Sequence, residues 1–102
     1  MKLVLKPNET IVRAGNSNLR QKDRQVNGKL IVTNQRIYFK SLNFENQLCD
    51  KEINPEDISE LFYFNVMWVL PKGLMIKTKK GDEICFTVSN RPEWSRLITA
   101  LF

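Results

Sequence analysis

The feature that most constrains the fold is the period-two pattern of "GKLIVTNQRIYFKS", residues 28–41, in which two short apolar runs flank a polar centre. Apolar residues occupy every second position on both sides of a polar break at residues 33–35. Side chains alternate between the two faces of a β-strand, and the break contains residues that tolerate tight turns. The stretch therefore predicts a β-hairpin. The residues expected to face a core are Leu30, Val32, Ile37 and Phe39, and those expected on the other face include Lys29, Ile31, Thr33 and Tyr38.

Other short segments along the chain have the composition of strands, and turn residues separate several of them. They are residues 9–15, 47–54, 58–65, 69–78 and 83–89. Residues 17–27 are polar and basic, with Leu19 and Val26 the only aliphatic side chains. That composition favours either a long loop or a strand that enters a loop. Together with the hairpin, the pattern predicts a mainly β protein.

The last segment of the chain has helical rather than strand periodicity, because its apolar residues recur at i, i+3, i+4 and i+7. Asn90 suits a helix N-cap, Pro92 is allowed in the first turn, and Glu93 suits the positive end of the helix dipole. We predict a helix over about residues 91–101 that covers one opening of a bent sheet or barrel. The residues expected to pack inward are Trp94, Leu97, Ile98 and Leu101.

The length of 102 residues predicts one domain over residues 1–102, with strands over about residues 9–89. Because no apolar run approaches the roughly 18 residues that cross a bilayer, and the start lacks a signal-peptide pattern, we expect a cytoplasmic protein. The chain has no histidine and no glycine-rich phosphate loop, and Cys49 and Cys85 form no CxxC pair. We therefore expect no catalysis, no metal and no cofactor.

Several motifs, taken in order, resemble the GRAM domain, a branch of the pleckstrin-homology superfamily. They are "LKPNETIV", "GKLIVTNQRIYF", "INPEDISEL" and "GLMIKTKKGDEICFTVSNRPEW", which together cover about residues 5–101. The resemblance implies a seven-stranded bent sheet or partly open barrel capped by one C-terminal helix. It also implies a non-catalytic module that binds phosphoinositides, other membrane lipids or proteins. Arg36 occupies a position typical of the family, and we interpret it as a structural residue that bonds the turn or a neighbouring carboxylate.

Basic residues are concentrated in the first 40 residues of the chain, and acidic residues in the 30 that follow. In the superfamily, the first inter-strand connection often faces an anionic head group. A basic residue near an anionic bilayer contributes about 1 kcal/mol, so five would support weak, salt-sensitive binding. The alternative is a solvated loop that keeps the protein soluble. The residues predicted to bind lipid or another anion are Arg13, Arg20, Lys22, Arg24 and Lys29.

The stretch "LFYFNVMWVLP", residues 61–71, is apolar on both faces of its strand. One face must meet the core, and the other needs an explanation because large exposed apolar patches are uncommon on monomers. The stretch is a tip that dips into a membrane, a surface for a protein partner or second copy, or a strand buried beneath another element. The residues predicted to form a partner interface are Phe62, Phe64, Met67, Trp68 and Val69.

The expected ligand is therefore an anionic lipid or membrane surface, or a protein, which includes a second copy of this chain. If lipid is the ligand, the protein is peripheral to a membrane. An alternative function is a small self-associating domain that uses residues 61–71. Nucleic acid is not expected, because Arg36, Tyr38 and Lys40 form the only interleaving of bases with an aromatic residue.

Overall fold

The computed structural model describes residues 5–21, 24–42, 50–66 and 70–101. In these residues the chain forms seven β-strands and one C-terminal α-helix. The elements are β1 (Ile11–Gln21), β2 (Arg24–Thr33), β3 (Ile37–Ser41), β4 (Lys51–Ile53), β5 (Ile58–Val66), β6 (Leu70–Thr78), β7 (Glu83–Val88) and α1 (Arg91–Thr99).

All seven strands belong to one antiparallel sheet, in the order β4-β3-β2-β1-β7-β6-β5. The sheet curls into a half-barrel, with β4 and β5 as its two edges and α1 against its inner side. The predicted seven-stranded bent sheet with one capping helix is confirmed. The predicted strand 47–54 appears as β4, and its first residues, with Cys49, lie outside the described residues.

The core fills the inside of the half-barrel and is built by alternate residues of the strands. Phe39 and Phe86 meet at its centre with ring centroids 5.7 Å apart. The helix contributes buried Trp94 and Ile98, and its partly buried Leu97 and Leu101 pack around them. The alternation in the sequence predicts the core face of the hairpin correctly, since Leu30, Val32, Ile37 and Phe39 are all buried.

Of the two alternatives for residues 17–27, the strand is correct over residues 17–21 and 24–27, and the long loop is wrong. Antiparallel pairing of β1 with β2 continues from Ser17 opposite Gly28 to Gln21 opposite Arg24. Leu19 is buried in the core, and the polar residues beside it point to the opposite side. The strand pattern is hard to detect in the sequence because so few inward positions carry an aliphatic residue.

Ile31 and Thr33 lie on the face opposite Leu30 and Val32, as predicted, but both are buried. Ile31 sits directly opposite the half-buried Tyr38 of β3. Thr33 is fully buried, and hydrogen bonds within an internal polar network satisfy its hydroxyl. Burial at this end of the hairpin therefore extends to both faces of the sheet.

That network centres on an ion pair between Arg36 and Glu9, whose side chains are 6% and 0% exposed. Arg36 Nε donates to Glu9 Oε2 at 2.8 Å, and its Nη2 donates to Oε1 at 3.0 Å. The Thr33 hydroxyl donates to Glu9 Oε2 at 2.6 Å, and Arg36 Nη1 donates to Glu52 of β4. The predicted structural role of Arg36 is confirmed by these bonds.

The turn between β2 and β3, which contains Asn34 and Gln35, holds the N-terminal segment, residues 5–10, against the sheet. Asn34 accepts a hydrogen bond from the Thr10 amide at 2.8 Å and donates to the Asn8 carbonyl at 3.0 Å. Gln35 donates to the Pro7 carbonyl at 3.0 Å. The turn between β2 and β3 therefore fixes the place where β1 begins.

The helix begins where predicted, but Asn90 does not cap it with its side chain. Asn90 has φ 59°, in the left-handed region, which asparagine tolerates better than most residues. Its carbonyl accepts from the Glu93 and Trp94 amides. Asparagine is therefore suited to this position by its backbone conformation, and Pro92 lies in the first turn as expected.

Replacing Glu9 with glutamine should lower the free energy of unfolding at neutral pH by about 3–5 kcal/mol, because a buried charge on Arg36 loses its main partner. The hydrogen bond from Arg36 lowers the pKa of Glu9 from 4.5 to about 2, although burial opposes this. Ionised Glu9 therefore stabilises the folded state fully above about pH 4.5, and this contribution is lost as the pH falls towards 2.

Urea unfolding at several pH values measures this effect. The difference between wild type and Glu9→Gln should shrink as the pH falls from 4.5 towards 2. Glu56→Gln is the matched control, because Glu56 is exposed and should behave like wild type throughout. An equal difference at neutral and acidic pH would contradict the proposed role of the charge.

Candidate functional site

The outer face of the sheet, defined as the side away from the core, presents rows of directly opposed residues. The cross-strand pairings of β5, β6, β7, β1 and β2 give each row its order. One row consists of Phe62, Met75, Cys85, Arg20 and Gln25. The next consists of Phe64, Gly73, Thr87, Asn18 and Asn27.

These rows are apolar at the β5 end and polar at the β2 end. Phe62 is 37% exposed, and Phe64 and Met75 are half-buried. We call these three residues the aromatic patch. A Cβ added at Gly73 would stand 2.5 Å from two ring carbons of Phe64, so the ring lies directly on this glycine. The glycine is required for that close approach.

Cys85 continues the apolar end of the outer face into β7. Its thiol is half-buried and is not part of a disulfide. Burial raises the pKa of Cys85 above its ordinary value, while Arg20 acts in the opposite direction. The thiol is therefore protonated at neutral pH and behaves as a small apolar side chain.

Arg91, the first residue of the helix, contacts β5 and β6 and so holds the start of the helix against the sheet. Its guanidinium carbon lies 4.1 Å from the ring centroid of Tyr63, which is 50% exposed. Arg91 Nη1 also donates to the carbonyls of Phe64 at 3.0 Å and Gly73 at 3.3 Å. Sequence reasoning missed this residue, and its only signal is a base at the first position of the predicted helix.

The structure places Arg13 on the inner side of the sheet, on the face opposite Arg20 and Lys29. A register shift between Ile11 and Arg13 pairs Arg13 with the core residue Val32. The guanidinium carbon lies 4.9 Å from the ring centroid of Trp94. Arg13 therefore joins β1 to the helix by a cation–π contact.

Arg20 and Lys29 are both exposed on the outer face, in β1 and β2. Lys29 stands directly opposite Lys40, and such like-charged pairs are unfavourable. Asp50 offsets the pair, because its Oδ2 lies 3.8 Å from Lys40 Nζ. Lys22 lies outside the described residues. For Arg24 only the backbone is described, so the anion-binding role of the set stays a prediction.

The predicted partner-interface residues divide between described and undescribed parts of the chain. Phe62 and Phe64 share the outer face of β5, as part of the aromatic patch. Met67, Trp68 and Val69 lie outside the described residues. Residues 61–64 are apolar on both faces because Leu61 packs against the core while Phe62 and Phe64 lie on the outer face.

The described residues contain neither of two other kinds of feature. No helix among them is long and apolar enough to cross a membrane. Nor do the described residues contain a cluster of three or more histidine, cysteine, aspartate or glutamate side chains able to hold a metal ion.

The fold is pleckstrin-homology-like. The C-terminal domain of an unknown protein from Leishmania infantum matches with a TM-score of 0.77 and 18% sequence identity, over 91% of this chain and 84% of that one. The N-terminal pleckstrin-homology domain of Vps36 matches with a TM-score of 0.75 and 13% identity, over 96% of this chain and 82% of that one. At these identities the likeness establishes the fold alone.

Sequence comparison adds no family to this result. No protein-family model matches the chain, and no curated protein matches its sequence. The predicted pleckstrin-homology-like fold is confirmed, whereas membership of the GRAM branch stays a prediction.

Replacing Arg13 with glutamine should destabilise the fold by about 0.5–2 kcal/mol, because it removes the cation–π contact with Trp94. Arg20→Gln, a matched change on the exposed outer face, should alter the free energy of unfolding by no more than about 0.5 kcal/mol. Urea unfolding followed by circular dichroism compares the two. Equal effects of the two changes would contradict the placement of Arg13.

Proposed function

We propose that the protein is a non-catalytic binding module of pleckstrin-homology type whose ligand is another protein. The observation that carries this proposal is the aromatic patch, Phe62, Phe64 and Met75, on the strand at the edge of the half-barrel and its neighbour. Aromatic residues and methionine are enriched in protein interfaces, where a few buried aromatic side chains supply most of the binding free energy. Phe62, at 37% exposure, is suited to be such an anchor.

Polar residues next to the patch support the same function. Asn18 and Thr87 continue the row that starts at Phe64, and both are half-buried. Interfaces commonly combine an apolar centre with a polar rim that supplies hydrogen bonds. The outer face has this arrangement between β5 and β1.

An anionic membrane surface is the second candidate ligand, and the shared exposure of Arg20 and Lys29 on the outer face favours it. Two basic residues contribute about 2 kcal/mol near an anionic bilayer, which by itself gives only weak binding. Arg13 is engaged with Trp94 and is not counted. Lys22 and Arg24 would strengthen this candidate if they contact the same bilayer.

The tagged full chain should capture a protein partner from an extract of its native cells, and Phe62→Ser should weaken that capture. Loss of a central aromatic anchor costs about 2 kcal/mol or more, which is roughly 30-fold in affinity. The matched control is Ile11→Ser, because Ile11 is 46% exposed in β1 and lies away from the patch. Quantitative mass spectrometry of the bound proteins measures the change.

Capture that survives Phe62→Ser, or that Ile11→Ser weakens equally, would contradict the proposed site. If the wild type captures no protein but floats with anionic liposomes at physiological salt, the ligand would be the membrane instead.

Flotation with neutral and anionic liposomes tests the second candidate. We expect binding to anionic liposomes only at low salt, because few exposed bases carry it and salt screens them. Arg20→Glu with Lys29→Glu should abolish this binding, while Arg13→Gln should leave it unchanged. Flotation that persists at physiological salt would make the membrane the principal ligand.

A further inference from the structure

The two edges of the half-barrel differ in how they are protected. Edge strands expose unpaired backbone groups, and proteins usually guard them with short length, charges, prolines or bulges. β4 has 3 residues and carries Lys51 and Glu52. β5 has 9 residues, and Glu60 is its one charged residue. Within the described residues β5 pairs on one side alone, with β6.

We propose that β5 pairs antiparallel with β5 of a second copy of this chain, so that two half-barrels share one continuous sheet. This inference rests on the proposed function, since it uses Phe62 and Phe64 of the same patch, and it names the partner. Pairing of this kind satisfies the open backbone groups of both copies at once.

The sequence of β5 is suited to pair with itself about a two-fold axis through Phe62, the middle residue of the strand. Phe62 then stands opposite Phe62 of the second copy, and Leu61 stands opposite Tyr63 of the second copy. Glu60 stands opposite Phe64 of the second copy. At the centre of the pairing, apolar side chains therefore meet on both faces of the joined sheet, Phe62 with Phe62 on one and Leu61 with Tyr63 on the other.

This register also keeps like charges apart. The two Glu60 residues are displaced by four residues along the strands, about 13 Å at the usual rise per residue. That separation exceeds the Debye length of about 8 Å at physiological salt, so their repulsion is largely screened. A register that placed Glu60 opposite itself would oppose the two charges directly.

Charge at the two ends of β5 favours the antiparallel direction. Glu56, Asp57 and Glu60 are exposed at the start of the strand. Exposed Lys72 and half-buried Arg91 lie at its end. An antiparallel arrangement brings the acidic start of one copy towards the basic end of the other. Within each copy, Lys77 stands opposite Glu60, and Lys79 lies beside Asp57, to whose carbonyl its amide donates, so these two bases offset part of the acidic charge.

Irregularities in β5 limit the length of the pairing. The register with β6 shifts between Ile58 and Glu60 and again between Phe64 and Val66. The regular part therefore spans residues 60–64, centred on Phe62. A contact of this length predicts a dimer that forms in a concentration-dependent way.

Sedimentation of the full chain across a wide range of protein concentration tests the inference. The wild type should form dimers, and Phe62→Lys should lose them because two lysines would meet on the two-fold axis. Ile11→Lys is the matched control, since it adds the same charge at an exposed apolar position of β1. A wild type that stays monomeric, or a Phe62→Lys variant that still dimerises, would overturn the proposal.

A comparison of two cysteine variants tests the register and does not depend on whether Phe62→Lys folds. Phe62→Cys and Glu60→Cys are compared in a background with Cys49→Ser and Cys85→Ser, under mild oxidation. Directly opposed Cβ atoms lie about 4.5–5.5 Å apart, close to what a disulfide spans, whereas two thiols introduced at position 60 would be about 13 Å apart. We expect a covalent dimer from Phe62→Cys alone. Equal or preferential cross-linking of Glu60→Cys would overturn the proposed pairing.

The failure of this inference can be distinguished from failure of the proposed function. A monomeric wild type that captures a different protein through Phe62 would overturn the self-pairing and leave the proposed function in place. A wild type that neither captures a protein nor forms dimers would overturn both the self-pairing and the proposed function.

Discussion

The buried ion pair between Glu9 and Arg36 is the interaction on which the arrangement of the first half of the sheet depends. It joins the N-terminal segment to the turn between β2 and β3, and Glu52 extends it to β4. Removing two charges from water is costly, and the hydrogen bonds from Thr33 and the Lys6 amide to Glu9 offset part of that cost. Because β1 follows directly, the pair also sets where the central strand of the sheet begins.

The position of β1 then determines how the outer face is organised. β1 lies between β2 and β7, so one row of side chains on the outer face runs from the aromatic patch through Arg20 of β1 to Gln25 of β2. Curling of the sheet leaves two unlike edges, a short charged β4 and a long apolar β5. The proposed function and the proposed self-pairing both follow from this asymmetry.

The sequence predicts the fold best where apolar residues are dense and regularly spaced. The β2–β3 hairpin and the helix satisfy that condition, whereas the far half of the β1–β2 hairpin is left open between a loop and a strand because it has two aliphatic residues. Phe62 and Phe64 of the predicted partner-interface set share the outer face, and their role in an interface stays a prediction. The face of Arg13 depends on a register shift and on packing against Trp94, neither of which local periodicity contains.

Amide hydrogen exchange of β5 in the full chain, followed as a function of protein concentration, tests most directly whether this edge is the binding surface. The amides of residues 60–64 should become more protected as concentration rises, and those of β4 should not change. Phe62→Lys should remove the added protection. Exchange in β5 that is independent of concentration and the same in both proteins would contradict the claim that β5 is the open edge at which this chain pairs.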